Sequence, residues 1–363
     1  MSEAATFKKT DNLQSSRMYL DIVKGVAIFL MLWGHCIQLC SNEDFDYFEN
    51  AVFKTIYSFH MPLFMLVSGY LFYFSCKKRK MGELLIHRTQ SMIQPIIMCS
   101  IFNYFITTVI IEHKLKSVIN GQWFSSLDIY HLDSLWFLWS VLCSSIVVAI
   151  AEKATKNLFI KIVVLVLGAG FVWLFPNNDL NLYMYPYFVA GFLFSKYKDK
   201  IPMIIMKVKY AFLLLFPLMM LFYQKKHFIY TTGIKSSANK IEMISIDLYR
   251  WAIGFVGSVF ALVIIELIYN LLICKKPVLG KPAVQLGKKS LQVYCLSIAL
   301  LSFWLPKAYS KFCNMAGSNI FASNMILYNF VFTFLLAVLY AIVIYLFALL
   351  LEKIKIGKLL FGR

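Results

Sequence analysis

RMYLDIVKGVAIFLMLWGH, residues 17–35, sets a cation, an acid, a second cation and a histidine into a segment otherwise apolar enough to cross a bilayer. Ionisable side chains in hydrocarbon are costly, so they face a protein interior or a water-filled cavity and mark a functional site by default. At roughly 100° per residue, the offsets from Arg17 to Asp21, Lys24 and His35 return all four side chains to one helical face. That polar stripe predicts a helix looking into a bundle. With a rise of about 1.5 Å per residue, Lys24 lies roughly 16 Å from His35 along the axis, a distance that suits an elongated ligand.

The rest of the chain agrees with a bundle in lipid. Of 363 residues, 60% are hydrophobic and 15% charged, with 33 Phe and 21 Tyr, a composition of polytopic membrane proteins and not of soluble cores. Apolar runs of spanning length recur, and ten are expected: 19–40, 51–76, 92–111, 134–151, 158–175, 182–195, 209–224, 249–273, 290–306 and 327–351. The fold class is therefore all-α, a polytopic transmembrane helix bundle. An even count puts both termini on one side, and most of the 36 Lys and Arg, including the clusters at 77–80, 196–209 and 275–289, fall on that side. By the positive-inside rule the termini are cytoplasmic. Residues 1–16 read as a disordered cytoplasmic tail, and residues 17–363 as one transmembrane domain. The longest loops, 112–133 and 225–248, map outside.

The same asymmetry accounts for most of the formal charge of +18. Short basic clusters between spans are not the stripe of a nucleic-acid-binding face, so no nucleic-acid partner is expected, whereas anionic lipid head groups or a nucleotide could meet them. No pair of the eight cysteines has zinc-ligand spacing, and no metal is expected. The glycines are scattered and match no nucleotide-binding loop, which argues against an ATP-driven pump. Broken helices in matching halves, the mark of an inverted-repeat transporter, are absent from the pattern.

His35 is the strongest candidate for chemistry, because histidine alone exchanges a proton readily near neutral pH. Asp21 stands four residues after Arg17 and three before Lys24, so it can pair with either, and Lys24 can instead reach a ligand's phosphate or carbonyl. A snorkelling interfacial trio is the plain alternative. The segment FHMPLFMLVSGYLF, 59–72, adds His60, a proline that disturbs a helix, and Ser68 with Gly69 for close helix contact. Arg88 precedes the third span, and Trp136 lies in SLWFL, 134–138, where an interfacial aromatic is the default.

Taken in order, DIVKGVAIFLMLWGH, FHMPLFMLVSGY, HRTQSMIQP, SLWFL, YFVAGF and GKKSLQVY resemble the acyltransferase 3 family of integral membrane acyltransferases, and within it the fucose 4-O-acetylase-like branch. The resemblance runs from about residue 17 to residue 300. It implies a bundle of about ten helices in the plasma membrane that takes an acyl group from cytoplasmic acetyl-CoA, used as substrate with no permanently bound cofactor. The implied acceptor is a hydroxyl of a polysaccharide or lipid-linked glycan. The family's histidine maps to His35, and its basic residue eleven positions earlier, commonly arginine, is Lys24 here. Lysine offers a point charge where arginine offers a planar fork. Where many members follow the tyrosine segment with a second histidine, this chain has Ser297.

The expected roles are thus His35 as general base, or alternatively as carrier of the acyl group in a two-step route, with Asp21 and Lys24 completing the catalytic stripe. Arg17, His60, Ser68, Arg88 and Trp136 are candidates for substrate and donor binding. The oxyanion donor is expected from Ser68, a tryptophan or backbone N–H groups beside Pro62. The rival reading is a proton-linked transporter or flippase for a glycan or lipid, which accounts for the stripe but not for the ordered motifs.

Overall fold

A computed structural model of the chain describes residues 2–41, 46–111, 134–234, 240–299, 305, 308–311 and 324–362. The expected outside loop 112–133, and the end of the ninth expected span, lie outside the described residues. The long helices are α1 (Ser2–Leu39), α2 (Ala51–Lys78), α3 (Met81–Phe105), α4 (Trp136–Lys153), α5 (Leu158–Trp173), α6 (Asn178–Tyr197), α7 (Phe212–Met220), α8 (Lys240–Ile268), α9 (Lys281–Lys288), α10 (Ser290–Ala299) and α11 (Phe334–Lys353). α1 runs back through the polar stretch read as a tail. Among the described residues, five helical stretches are long and apolar enough to cross a membrane: Ser16–Leu39, Ala51–Lys78, Trp136–Lys153, Ile241–Ile273 and Leu327–Lys353.

α1 is the axle of the bundle. Val23, Leu32, Cys36 and Ile37 along it are completely buried, while α5 and α11 turn Phe159, Val166, Leu167, Leu335, Leu339 and Leu346 outward. Such an apolar exterior suits lipid. Together these features describe a multi-pass membrane protein.

Two glycine crossings set the spacing of the helices that carry the site. A Cβ on Gly191 of α6 would stand 2.0 Å from the Leu66 carbonyl oxygen of α2, and one on Gly69 of α2 would stand 2.0 Å from the Phe188 carbonyl oxygen of α6. On the other side of the axle, a Cβ on Gly287 of α9 would stand 1.8 Å from the Asp21 carbonyl oxygen. Small residues let backbones approach this closely, which is how helices gain contact where lipid removes the hydrophobic drive.

α2 begins where Asn50 caps it, its Oδ1 accepting from the N–H groups of Val52 and Phe53 at 3.0 Å each. The Asn50 amide also donates to Asn329 Oδ1 at 2.7 Å, tying the start of α2 to the last long helical stretch. α1 and α2 form an antiparallel pair whose joined ends meet the same residue, since Trp33 Nε1 of α1 donates to the Asn329 carbonyl at 3.2 Å.

Candidate active site

A cavity of about 240 Å³ opens between the antiparallel α1 and α2, closed by α3, α4 and the junction of α9 with α10. α1 contributes Lys24, Ile28 and Met31 at helical spacing, and α2 contributes Met61, Phe64, Ser68, Leu71, Phe72 and Ser75. Because the two helices run in opposite directions, Lys24 and Ser75 mark one end of the cavity and Met31 and Met61 the other. Arg88 and Lys288 join the first end, and Phe137 and Tyr294 the second.

The first end is cationic. Lys24 Nζ pairs with Asp21 Oδ1 at 2.7 Å, which holds the ammonium at the cavity rim. Arg88 donates from Nε to Ser145 Oγ at 3.2 Å and lies over the Phe72 ring, 5.4 Å from its centroid. Lys288 is exposed at the mouth. Three cations against one adjacent carboxylate leave this end of the cavity with a net positive charge.

Just beyond the second end stand the two histidines. His35 follows Met31 on α1, and His60 precedes Met61 on α2. Tyr57 joins them: its hydroxyl lies 3.3 Å from His35 Nδ1 and donates to Gln38 Oε1 at 3.2 Å. An amide oxygen only accepts, so the single phenolic proton goes to Gln38 as that amide is oriented, and the Tyr57 oxygen accepts from His35 Nδ1–H. His35 Nε2 then carries the free lone pair. His60 reaches the same tautomer by another route, donating from Nδ1 to the Ile56 carbonyl at 2.8 Å. The Tyr57 ring is held by stacking on Phe53, centroids 3.9 Å apart. With Nδ1 engaged in both rings, each Nε2 keeps a lone pair that can accept a proton.

Tyr294 is the polar group nearest the histidine end of the cavity wall. Its hydroxyl accepts from the Phe137 N–H at 3.3 Å and reaches the Ser134 carbonyl at 3.4 Å, a long bond that leaves its proton easily redirected.

The structure brings Lys24, Ser68 and Arg88 together on the cavity wall, sets His35 and His60 just past its end, and seats Asp21 beside Lys24. Trp136 is outside the lining, its ring edge-on to Tyr230 at 6.3 Å. Arg17 is exposed and apart from the cavity. The expectation of N–H donors beside Pro62 is corrected by the helix itself. α2 continues unbroken through Pro62, and a proline inside a helix strips a donor from the carbonyl four residues earlier, here that of Ser58, without releasing any N–H. Tyr57, Gln38 and Lys288 were not singled out from the sequence. Tyr57 has one signal, its place three residues before His60 on the same helical face; Lys288 lies within the GKKSLQVY motif, and Gln38 has no signal.

The profile described as an acyltransferase domain, of the acyltransferase 3 family, matches residues 17–353. Nodulation protein NolL of Sinorhizobium fredii (strain NBRC 101917 / NGR234) is 32% identical over 188 residues, 48% of this chain and 48% of the relative. Nodulation protein NolL of Mesorhizobium japonicum (strain LMG 29417 / CECT 9101 / MAFF 303099) is 26% identical over 178 residues, 48% of this chain and 47% of the relative. The chain thus spans about half the length of the curated relatives it matches. No solved structure matches.

Proposed function

This chain belongs to the acyltransferase 3 family, and from that premise we propose that it is an O-acetyltransferase moving an acetyl group from acetyl-CoA to a hydroxyl of a polysaccharide or lipid-linked glycan. The observation that carries this is one continuous cavity running from Lys24, Arg88 and Lys288 to within about one helical turn of His35. Its cationic end suits the phosphates of acetyl-CoA, and its narrow apolar run suits the pantetheine arm. In this reading the chain crosses the plasma membrane ten times with both termini cytoplasmic. The Lys24 end then opens to cytoplasmic donor and the His35 end to acceptor outside.

The chemistry follows from the lone pair on His35 Nε2. The acceptor oxygen attacks the thioester carbonyl carbon while its proton passes to His35 Nε2, and the charge gathering on the carbonyl oxygen is met by a proton donor on the cavity wall. Tyr294 is our choice for that donor, with Ser68 further from the histidines. Collapse breaks the carbon–sulfur bond, the new ester leaves with the acetyl group, and the thiolate takes the proton back from the imidazolium. Tyr57 and Gln38 hold His35 in the tautomer that can begin this cycle. Asp21 places Lys24, and Lys24 meets the donor.

The test is His35→Ala expressed in a strain lacking the gene, with acetyl esters measured on the extracellular polysaccharide. Loss of esters with normal protein level supports the proposal; unchanged acetylation refutes it. Normal acetylation with lost glycan export would mark a transporter instead. In the same material, Lys24→Ala is expected to bind acetyl-CoA about tenfold more weakly, the order of one charge-assisted contact, and equal affinity would remove Lys24 from the donor path.

A further inference from the structure

Residues 225–234 lie over the histidine end of the bundle, tied down by one buried cation. Arg250 of α8 is only 1% exposed, and its guanidinium is turned wholly toward this segment. Nε donates to the His227 carbonyl at 3.1 Å, Nη1 to the Gly233 carbonyl at 2.9 Å, and Nη2 to the Lys226 and Phe228 carbonyls at 2.7 and 3.2 Å and to the Thr232 hydroxyl. Asp247 balances the charge, 2.7 Å from Nη1. A second anchor stands at the near edge, where Lys225 Nζ meets Asp46 Oδ2 at 2.7 Å and the Phe228 ring packs on Phe48 at 5.0 Å.

In the middle of this latched segment sits Tyr230, whose hydroxyl end is turned inward towards Tyr57, Tyr183 and Tyr294 while part of its ring stays open. It is 49% exposed, edge-on to Tyr57 at 6.2 Å and to Trp136 at 6.3 Å. Tyr57 is the group that bonds His35 Nδ1, so the exposed ring stands one side chain from the proposed base. Trp136 in turn precedes Phe137, which lines the cavity. An aromatic surface rigidly displayed beside a base, and open to the surroundings, has the chemistry of a site for a ligand with one apolar face and a polar rim. A pyranose ring fits that description: its axial C–H groups form an apolar face, and its hydroxyls project from the edge toward His35 Nε2.

We propose that the exposed ring of Tyr230, flanked by Trp136, is the stacking platform for one pyranose ring of the acceptor, seating it at the mouth of the His35 site. The proposal rests on the reading of that site as one that acylates a sugar hydroxyl. The pyranose is recognised by its ring face, whether it arrives free or on a lipid carrier.

The full chain is reconstituted in lipid nanodiscs, without sugar-headed detergents, which would compete. Methyl pyranosides of fucose, rhamnose, galactose and glucose are titrated by saturation-transfer NMR, and the same sugars on a polyprenyl phosphate form a second arm. Wild-type protein is expected to bind at least one sugar in one arm with saturation strongest at the C–H groups of one ring face. Tyr230→Ala is expected to weaken that binding about tenfold, the upper range for an aromatic stacking contact, and Tyr230→Phe, which keeps the ring, to stay within about threefold. Binding in the methyl arm identifies the free ring as sufficient, and binding confined to the polyprenyl arm identifies a lipid-carried acceptor; either supports the platform if Tyr230→Ala loses it. No sugar bound in either arm, or equal affinity in Tyr230→Ala, overturns it. Acetyl transfer from acetyl-CoA, measured on the same samples, separates the two readings. Ring binding through Tyr230 without any transfer leaves the platform standing and removes the acyl-transfer assignment, whereas transfer with Tyr230→Ala at wild-type affinity removes the platform alone.

Discussion

Replacing Tyr57 by phenylalanine and Gln38 by leucine should slow acetyl transfer by different and ordered amounts, because the two side chains select the His35 tautomer in different ways. The Tyr57→Phe ring keeps its stack on Phe53, centroids 3.9 Å apart, so packing is retained and only the hydroxyl is lost. Its contacts to His35 Nδ1 and Gln38 Oε1, at 3.3 and 3.2 Å, lie at the long end of the hydrogen-bond range, and such neutral bonds contribute about 1 kcal/mol each. Losing the one that favours Nδ1–H shifts the tautomer ratio about fivefold, since each 1.36 kcal/mol is tenfold. Gln38→Leu acts more strongly. Without the amide acceptor, the Tyr57 proton turns to His35 Nδ1 and supports the opposite tautomer, so the same bond changes sides. The swing of about 2 kcal/mol corresponds to about thirtyfold. The assay is the initial rate at which alkali-labile acetyl esters appear on surface polysaccharide after induction, normalised to protein in the membrane. The expected order is wild type, then Tyr57→Phe, then Gln38→Leu. A Gln38→Leu rate equal to or above that of Tyr57→Phe would refute the tautomer argument while leaving His35 itself untouched.

Two further outcomes concern the frame around the site. Gly191→Ala places a methyl 2.0 Å from the Leu66 carbonyl oxygen, against backbone that cannot turn aside, so α2 and α6 must part; a loss of about 1–3 kcal/mol is expected for such overpacking. Thermal unfolding in nanodiscs should show it, with Gly170→Ala, where a methyl meets nothing within 4 Å, as the neutral comparison, and equal midpoints would refute the crossing. The latched segment should also loosen in acid. Burial, then the neighbouring Lys226 and Arg250 cations, push His227 down to about 4 from its ordinary 6.5, and its Nδ1 accepts from the Gln224 N–H at 2.9 Å, which protonation would break. A group held below its unfolded value stabilises fully above that value, so the contribution is present above about 6.5 and fades as pH falls towards about 4. Amide exchange in residues 225–234, corrected for intrinsic rate, should rise over that window, and His227→Gln should flatten the rise; an unchanged pH response in the variant would count against it.

How much of this was legible in the chain follows from what helical periodicity can and cannot carry. Apolar runs mark where helices lie, and the recurrence of polar residues at helical offsets marks which face of α1 looks inward, so Lys24 and His35 were readable from residues 17–35 alone. The stripe's first member, Arg17, has the right angle, yet it stands exposed and clear of the cavity. Angle is a property of one helix, whereas reach depends on its neighbours. Tyr57 matters only because α1 and α2 are antiparallel and in a particular register, and that register is set by contacts far apart in sequence. The approach of Gly34 on α1 to the Tyr57 ring on α2 and the shared hold of Trp33 and Asn50 on Asn329 fix it. Arg250 was hidden for a related reason: it spends most of its donors on backbone carbonyls, which have no letter in the sequence. A slip of α2 by one turn, about 5.4 Å, would leave every face and every apolar run as it is while carrying Tyr57 out of reach of His35. The chemistry of this site is therefore a property of the register between helices, and the glycines that permit their close approach are as much a part of it as the histidine they bring into place.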